Sequence, residues 1–434
     1  MNEDPSHYAL NPSSDLVKRA SKVTKAESAR KGEPKFHMTE DMRRLSTPWS
    51  ISQVRAEQIQ ATDLPAGVIL DAAAGSGVQL IALTTGLKRP GLAIELDPNI
   101  GLLCAANMHI TGEESDLQRT MDRVLVGDGT DAENAITAYW NSLREAGTRA
   151  HPPIGMLHLD PARPRDAQRH EIDEMQPALG PLLKAWANHL ETGPRGPAVL
   201  LDLSPRLNED QRSLVDATIE TTFPGIPRTW EYLSQGGGRI DRLSVWIGSI
   251  SSKEPSRCIR MGKKKIMATI EGKVAESELV SMSSPPPYGA YLTIVDPALV
   301  QSGLHEAWLD RAIPENAGHS WLRLEGRRPL LISTDPLIED DEIDAFVIAS
   351  GEIVQHRLTP PELHTIEQTA ASAARNGVGK VTLRCILDPD EHPTLQRRLH
   401  KAMKEFDGEN GFMVDLDLDR GSGSHTLYIV CKEQ

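Results

Sequence analysis

Aromatic side chains are scarce in this chain: Phe, Tyr and Trp together make up 4% of its 434 residues. Stacking surfaces built from them must be few, which leaves arginine as the readier planar partner for a flat ligand. Cysteine is scarcer still. Cys104, Cys258, Cys385 and Cys431 stand far apart with no C-x-x-C spacing, so neither a zinc knuckle nor a disulfide framework is expected, and a reducing compartment fits. No apolar stretch approaches the ~18 residues of a membrane span, and the first residues are polar and lack the apolar core of a signal peptide. A soluble cytoplasmic protein with no membrane partner and no metal is the expectation. Positive charge is short as well. A net charge of −14 argues against a chain-wide phosphate-binding surface. Local basic runs remain, from Lys18 to Arg44 and from Lys253 to Lys265, and these read equally as solvated linkers.

What is present is enough apolar residue, 39%, to pack throughout, in a chain longer than one core usually supports. Two folded units are therefore expected. Residues 1–36 are polar and read as a mobile tail. Met42, Leu45 and Trp49 then fall at helical spacing, followed less regularly by Ile51, Val54 and Ile59, which predicts short helices before the first strand. From VILDAAA onward, strand and helix patterns alternate through LAIELD, RVLVGD, IGMLHLD and AVLLDLS, the signature of parallel strands with crossover helices. The segment WEYLSQGGGRIDRLSVWIGSI breaks that rhythm, because a Gly236-Gly237-Gly238 turn between two strand patterns reads as a hairpin. The first unit, residues 37–252, is thus expected as a doubly wound α/β sheet, mostly parallel, whose last strand is reversed. Residues 253–287, with basic residues and Pro285-Pro286-Pro287, read as a linker in which IMATIEGKV is a possible strand. Residues 288–434 read as a smaller α+β domain. Its expected elements include a helix over 360–376, a helix over 393–406 and a terminal hairpin whose Asp415, Asp417 and Asp419 line a solvated face.

The candidate site lies at the expected strand ends. In VILDAAAGSG, Asp71 closes a strand, and Gly75 and Gly77 with Ala73 form a turn where the backbone can approach a ligand. The spacing D-x-x-x-G-x-G differs from the dinucleotide fingerprint, and position 80 is Leu rather than glycine. An acid beside that turn suits a ligand carrying ammonium and sulfonium groups, such as S-adenosylmethionine, better than a pyrophosphate, with a nicotinamide cofactor as the alternative. Glu95 ends the next strand, about 20 residues on, where an acid can accept ribose hydroxyls. Asp128 ends the third, where it can receive an adenine amino group. Each alone reads as a turn or cap residue, but three in register point to a ligand outside the carboxyl ends. At the fourth strand end stands Asp160-Pro161-Ala162-Arg163, an acid and a stiff loop able to hold an acceptor in line, with Arg163 offering a planar face. Asp202 reads as a turn residue and His158 as a satisfied core histidine.

Taken together, DAAAGSG, AIELDP, GDGTD, LDPAR, SVWIG, PYGAYLTIVDPALVQSGL and NGVGKVTLRC resemble the class I S-adenosylmethionine-dependent methyltransferases that carry a C-terminal THUMP-like domain. The resemblance covers roughly residues 40–434. It implies S-adenosylmethionine at Asp71, Gly75, Gly77, Glu95 and Asp128, with Asp160 to Arg163 facing the acceptor. It also implies RNA, met through local basic patches, as substrate and partner. The chain departs from the family where DPARR is usual, since position 164 is Pro, and at Ala73-Ala74 in the glycine loop. The competing expectations are a methyltransferase fold kept only for RNA binding or assembly, and an enzyme acting on a protein or small molecule.

Overall fold

The computed structural model describes residues 7–114, 119–161, 172–419 and 424–433. They form two compact units. The first comprises the chain to Glu231 together with Arg242–Pro255 and Lys263–Lys265, and the second the remainder.

The first unit is built on a parallel sheet flanked by helices. Its strands are β1 (Tyr8–Leu10), β2 (Val68–Asp71), β3 (Gly91–Glu95), β4 (Arg123–Val126), β5 (Ile154–Leu159), β6 (Gly196–Leu203), β7 (Arg228–Ser234) and β8 (Arg242–Gly248). The helices used below are α1 (Ser14–Ala20), α2 (Trp49–Gln60), α3 (Val78–Leu87), α4 (Pro98–Glu114), α5 (Ala132–Glu145), α6 (Leu179–Trp186) and α7 (Glu209–Thr222). The strands VILD, RVLV and IGMLHL are buried along their whole length, as strands covered by helices on both faces must be. They lie in the order β1-β4-β3-β2-β5-β6-β8-β7. β4, β3, β2, β5 and β6 run parallel, and β8 runs antiparallel to β6 with Ser244 opposite Asp202. Strand order reverses between β2 and β5, the switch point at which open α/β sheets have their crevice, outside the carboxyl ends of the strands.

This is the α/β unit expected from the alternation: the strand last in chain order, β8, is reversed, and it lies between β6 and β7. Two expectations are corrected. The expected tail is ordered from His7: β1 pairs antiparallel with β4, Tyr8 opposite Val126, and α1 buries Leu16 and Ala20. Ala20 packs with Leu103 and Ala106 of α4. A three-residue edge strand and four buried side chains, His7, Leu16, Ala20 and Phe36, fix it, too few to stand out from a polar background. In the expected linker IMATIEGKV does hold a strand, Ile266–Gly272 (β10), but it forms an antiparallel hairpin with Ser256–Met261 (β9), which the pattern did not show.

The second unit has its own sheet. After β10 come β11 (Tyr291–Val295), α8 (Pro297–Gln301), α9 (His305–Ala312), β12 (His319–Arg323), β13 (Leu330–Ser333), β14 (Val347–Arg357), α10 (Ile366–Arg375), β15 (Val378–Leu383), α11 (His392–Ala402), β16 (Glu409–Asp419) and β17 (Ser424–Glu433). The order is β12-β13-β11-β14-β17-β16-β15, antiparallel except for the β15–β16 pair. The terminal hairpin is where the sequence places it. The helices are shorter than their apolar spacing implies: α10 starts at Ile366, leaving Leu363 exposed, and Phe406 lies past the end of α11, also exposed. Of the three alternating acids only Asp417 and Asp419 are exposed. Asp415 is buried, 3.1 Å from Arg323 Nη1, and accepts the Ile386 amide at 2.8 Å. All four cysteines are buried as thiols, and among the described residues no helix is long and apolar enough to cross a membrane.

The docking of α1 is measurable. Leu16→Ala should cost about 2–4 kcal/mol in urea unfolding, the usual loss for a buried leucine; a change near zero would mean that the segment is the loose tail its composition implies.

Candidate functional site

The turn after β2 is held on both sides. Asp71 Oδ1 accepts the Ala73 amide at 3.2 Å, and the Ala74 amide reaches Ile94 O on β3 at 3.1 Å. Gly75 and Gly77 adopt left-handed conformations, φ +53° and +78°. Gly77 has a second reason to lack a side chain, because a Cβ there would stand 2.7 Å from Cys104 Sγ on α4. Around Gly75, by contrast, the space a Cβ would enter is open. From behind, the buried Asn107 of α4 donates to Ser76 O at 2.9 Å and to His37 O at 3.0 Å, and its Oδ1 accepts the His37 amide at 2.6 Å.

Glu95, half-buried at the end of β3, folds over this turn. Its Oε2 accepts the Gly75 amide at 3.0 Å and its Oε1 the Asp97 amide at 3.1 Å. Burial raises its pKa above the ordinary value, and the two amides partly oppose that rise. Asp97 does serve the start of α4, accepting the Asn99 amide at 2.7 Å. Asp128 is exposed after β4, with Oδ1 accepting both the amide and the hydroxyl of Thr130 at 2.8 Å. Its carbonyl accepts from His7 Nε2 at 3.0 Å, so the edge segment closes against this corner, the His7 ring lying where any side chain on Gly127 would have to go.

Asp160 and Pro161 follow β5 directly. The Asp160 carboxyl reaches solvent at the rim, while the protein packed around it and the charge of Asp202 raise its pKa to about 6, against the opposing pull of His158 and Arg242. Pro161 is buried. Arg163, with Ala162, Arg165 and Arg169, lies outside the described residues.

Below the crevice runs a line of polar groups that the sequence reading did not join. His158 Nδ1 lies 2.8 Å from Asp71 Oδ2, and its Nε2 lies 3.1 Å from Asp202 Oδ2. Asp202 is in turn held by both terminal nitrogens of Arg55 on α2, at 2.7 and 2.6 Å. Arg55 Nη2 also reaches Ser244 Oγ on β8 at 3.3 Å, and that hydroxyl donates to Glu231 on β7 at 3.4 Å. Every member is buried. Asp202 is therefore a buried ion-pair member, not a turn residue. His158 is a core histidine as expected, but a charged one. Burial lowers its pKa, yet the Asp71 charge and the hydrogen bonds to Asp202 and Asp71 outweigh that and raise it to about 10. With both ring nitrogens donating, it has no lone pair left for a metal. One signal was legible: His158 and Asp202 each interrupt an otherwise apolar strand near its carboxyl end.

The structure thus brings Asp71, Ala73, Gly75, Gly77 and Glu95 into one turn, sets Asp160 and Pro161 across the crevice, and leaves Asp128 at its corner. Each of the three strand-end acids accepts a nearby amide, and Asp71 also meets the His158 ring.

No protein-family model and no curated protein matches the chain. Solved structures with some likeness include an O-methyltransferase from Bacillus cereus in complex with SAH, 14% identical, covering 55% of this chain and 93% of that one at a TM-score of 0.28. A predicted O-methyltransferase from Agrobacterium tumefaciens is 15% identical and covers 48% and 84%, with a TM-score of 0.32. The precorrin-6y C5,15-methyltransferase of Geobacter metallireducens is 13% identical and covers 50% and 94%, at 0.29. Likeness at this level says nothing of this chain's chemistry.

The charged histidine has a pH signature. Its pKa in the folded protein stands at about 10, above the ordinary 6.5, so the stability it contributes is full below pH 6.5 and is lost as pH rises toward 10. Wild-type thermal unfolding midpoints should fall over that window by on the order of 5 °C more than those of His158→Asn, read by circular dichroism; equal slopes would show that the ring is not a cation.

Proposed function

We propose that the crevice binds S-adenosylmethionine and that the protein is a methyltransferase acting on RNA. The observation that carries the reading is Gly75: left-handed, at the switch point of the sheet, with open space where a side chain would stand and its amide covered by Glu95 from the adjacent strand end. That cradle fits a ligand drawn close to backbone, and the Glu95 carboxylate fits a vicinal diol that exchanges with the Gly75 and Asp97 amides. Gly75, Gly77 and Ala73 would lie along the cofactor, with Asp128 at its adenine end and Asp71 fixing the turn from beneath. When bound, the cofactor supplies an electrophilic methyl group on sulfur.

The chain's own contribution is orientation. Asp160, ionised above pH 6, can accept a hydrogen bond from an acceptor N–H and hold its lone pair in line, with Pro161 stiffening the loop. RNA is proposed from the sequence resemblance, from the arginines at 163, 165 and 169 and from a THUMP-like reading of the second unit. A second reading has one observation in its favour. Asp71 and Glu95 already have partners, as in a methyltransferase-like fold kept for binding or assembly.

Calorimetry separates the two. Wild-type protein should bind S-adenosylmethionine, and Glu95→Ala should weaken it about tenfold or more, the worth of a hydrogen bond to a charged group; absence of heat with wild type favours the idle fold. Asp160→Ala should reduce methylation of RNA by about 100-fold or more with cofactor affinity unchanged. RNA affinity should also fall steeply with salt, and indifference to ionic strength would direct attention to a protein or small-molecule acceptor.

A further inference from the structure

The ion-pair line is more than one side chain's satisfied contacts. Asp71 on β2, His158 on β5 and Asp202 on β6 belong to three neighbouring strands, and their side chains meet below the carboxyl edge. At one end the line reaches the glycine turn, through Asp71 Oδ1 and the Ala73 amide. At the other it reaches α2 through Arg55. Two residues past His158 stands Asp160, the acceptor-side acid. A core that needed only stability would place apolar residues here, because buried ion pairs seldom outperform well-packed hydrocarbon of similar volume. A line in which the charged groups are paired in this way holds rigidly, since a member that moves leaves its partner's charge uncompensated.

We propose that His158 is a positioning residue: held between Asp71 and Asp202, it couples the geometry of the glycine turn to that of the Arg55–Asp202 pair and of Asp160, two residues on. The charged and titratable groups around it are Asp71 from β2, Asp202 from β6, Arg55 from α2, Glu231 from β7, and Asp160 and Arg242. Counting His158 as a cation, two positive charges, His158 and Arg55, face the carboxylates of Asp71, Asp202 and Glu231, with Ser244 joining the last to the line. A neutral ring leaves Asp71 or Asp202 facing a bare nitrogen. Whichever carboxylate loses its partner must turn, and Asp71 cannot turn without releasing the Ala73 amide. His158 is buried beneath the turn, so it acts through these neighbours.

The affinity arm of the test rests on the cofactor reading above; the other two arms do not. In nitrogen NMR of the full-length protein, both ring nitrogens of His158 should remain protonated from pH 6 to 9. A bare ring nitrogen at pH 7.5 would overturn the proposal. In His158→Gln, amide exchange at residues 72–77 should quicken by about tenfold, in the range of coupling carried through a packed hydrogen-bonded chain, and S-adenosylhomocysteine binding should weaken by a similar factor. Exchange in α5, which is outside the line, should not change. Asp202→Asn gives the same readouts if His158→Gln fails to fold, with the ring now titrating in the neutral range. Unchanged exchange at the turn sinks the coupling. Faster exchange together with no binding of S-adenosylhomocysteine by wild type leaves the coupling standing and removes the cofactor reading instead.

Discussion

Mutual neutralisation of buried charge is the constraint on which the first unit is arranged. Arg55, Asp202, His158 and Asp71 sit where water cannot screen them, so none can be accommodated without the next. The bidentate Arg55–Asp202 pair is the anchor: it brings α2 against the sheet at one depth, and it makes Asp202 a fixed negative point at the end of β6. Arg55 and His158 hold the Asp202 pKa well below the ordinary carboxylate range despite burial, and Asp71 together with Asp202 keeps His158 protonated. The pairing leaves one donor over. Arg55 Nε has no acceptor among the described residues, a residual cost in a place where stability alone would not put a guanidinium.

Around that line the glycine turn is held by groups from three directions. Asp71 supports it from below, Glu95 from the adjacent strand end, and Asn107 from α4 through the Ser76 carbonyl. At Gly75 the space a Cβ would enter is open among the described residues. A turn so held costs a ligand little ordering on binding, which is the condition for a small pocket to bind well.

Much of this was readable from residue pattern, and the limits follow from physics. Parallel strands buried on both faces leave long apolar runs, so VILD, RVLV and IGMLHL announced the sheet, and the Gly236 to Gly238 run announced the hairpin. Acids and glycines at strand ends announced the turn. What stayed hidden depends on partners distant in sequence. Arg55 reads as one more charge on a short helix until Asp202, 147 positions away, is placed beside it. Asp415 reads as one of three alternating surface acids until Arg323 and the Ile386 amide claim it. The N-terminal strand was invisible for a related reason: three residues on a sheet edge need almost no apolar content, because backbone hydrogen bonds do the joining.

That edge strand bears on how the chain is made. Tyr8 leaves the ribosome about a hundred residues before its partner Val126, and closing so long a span carries a loop-entropy cost that only the finished neighbour repays. Tyr8–Leu10 therefore waits unpaired until β4 has been synthesised, so this part of the chain stays an open edge during translation.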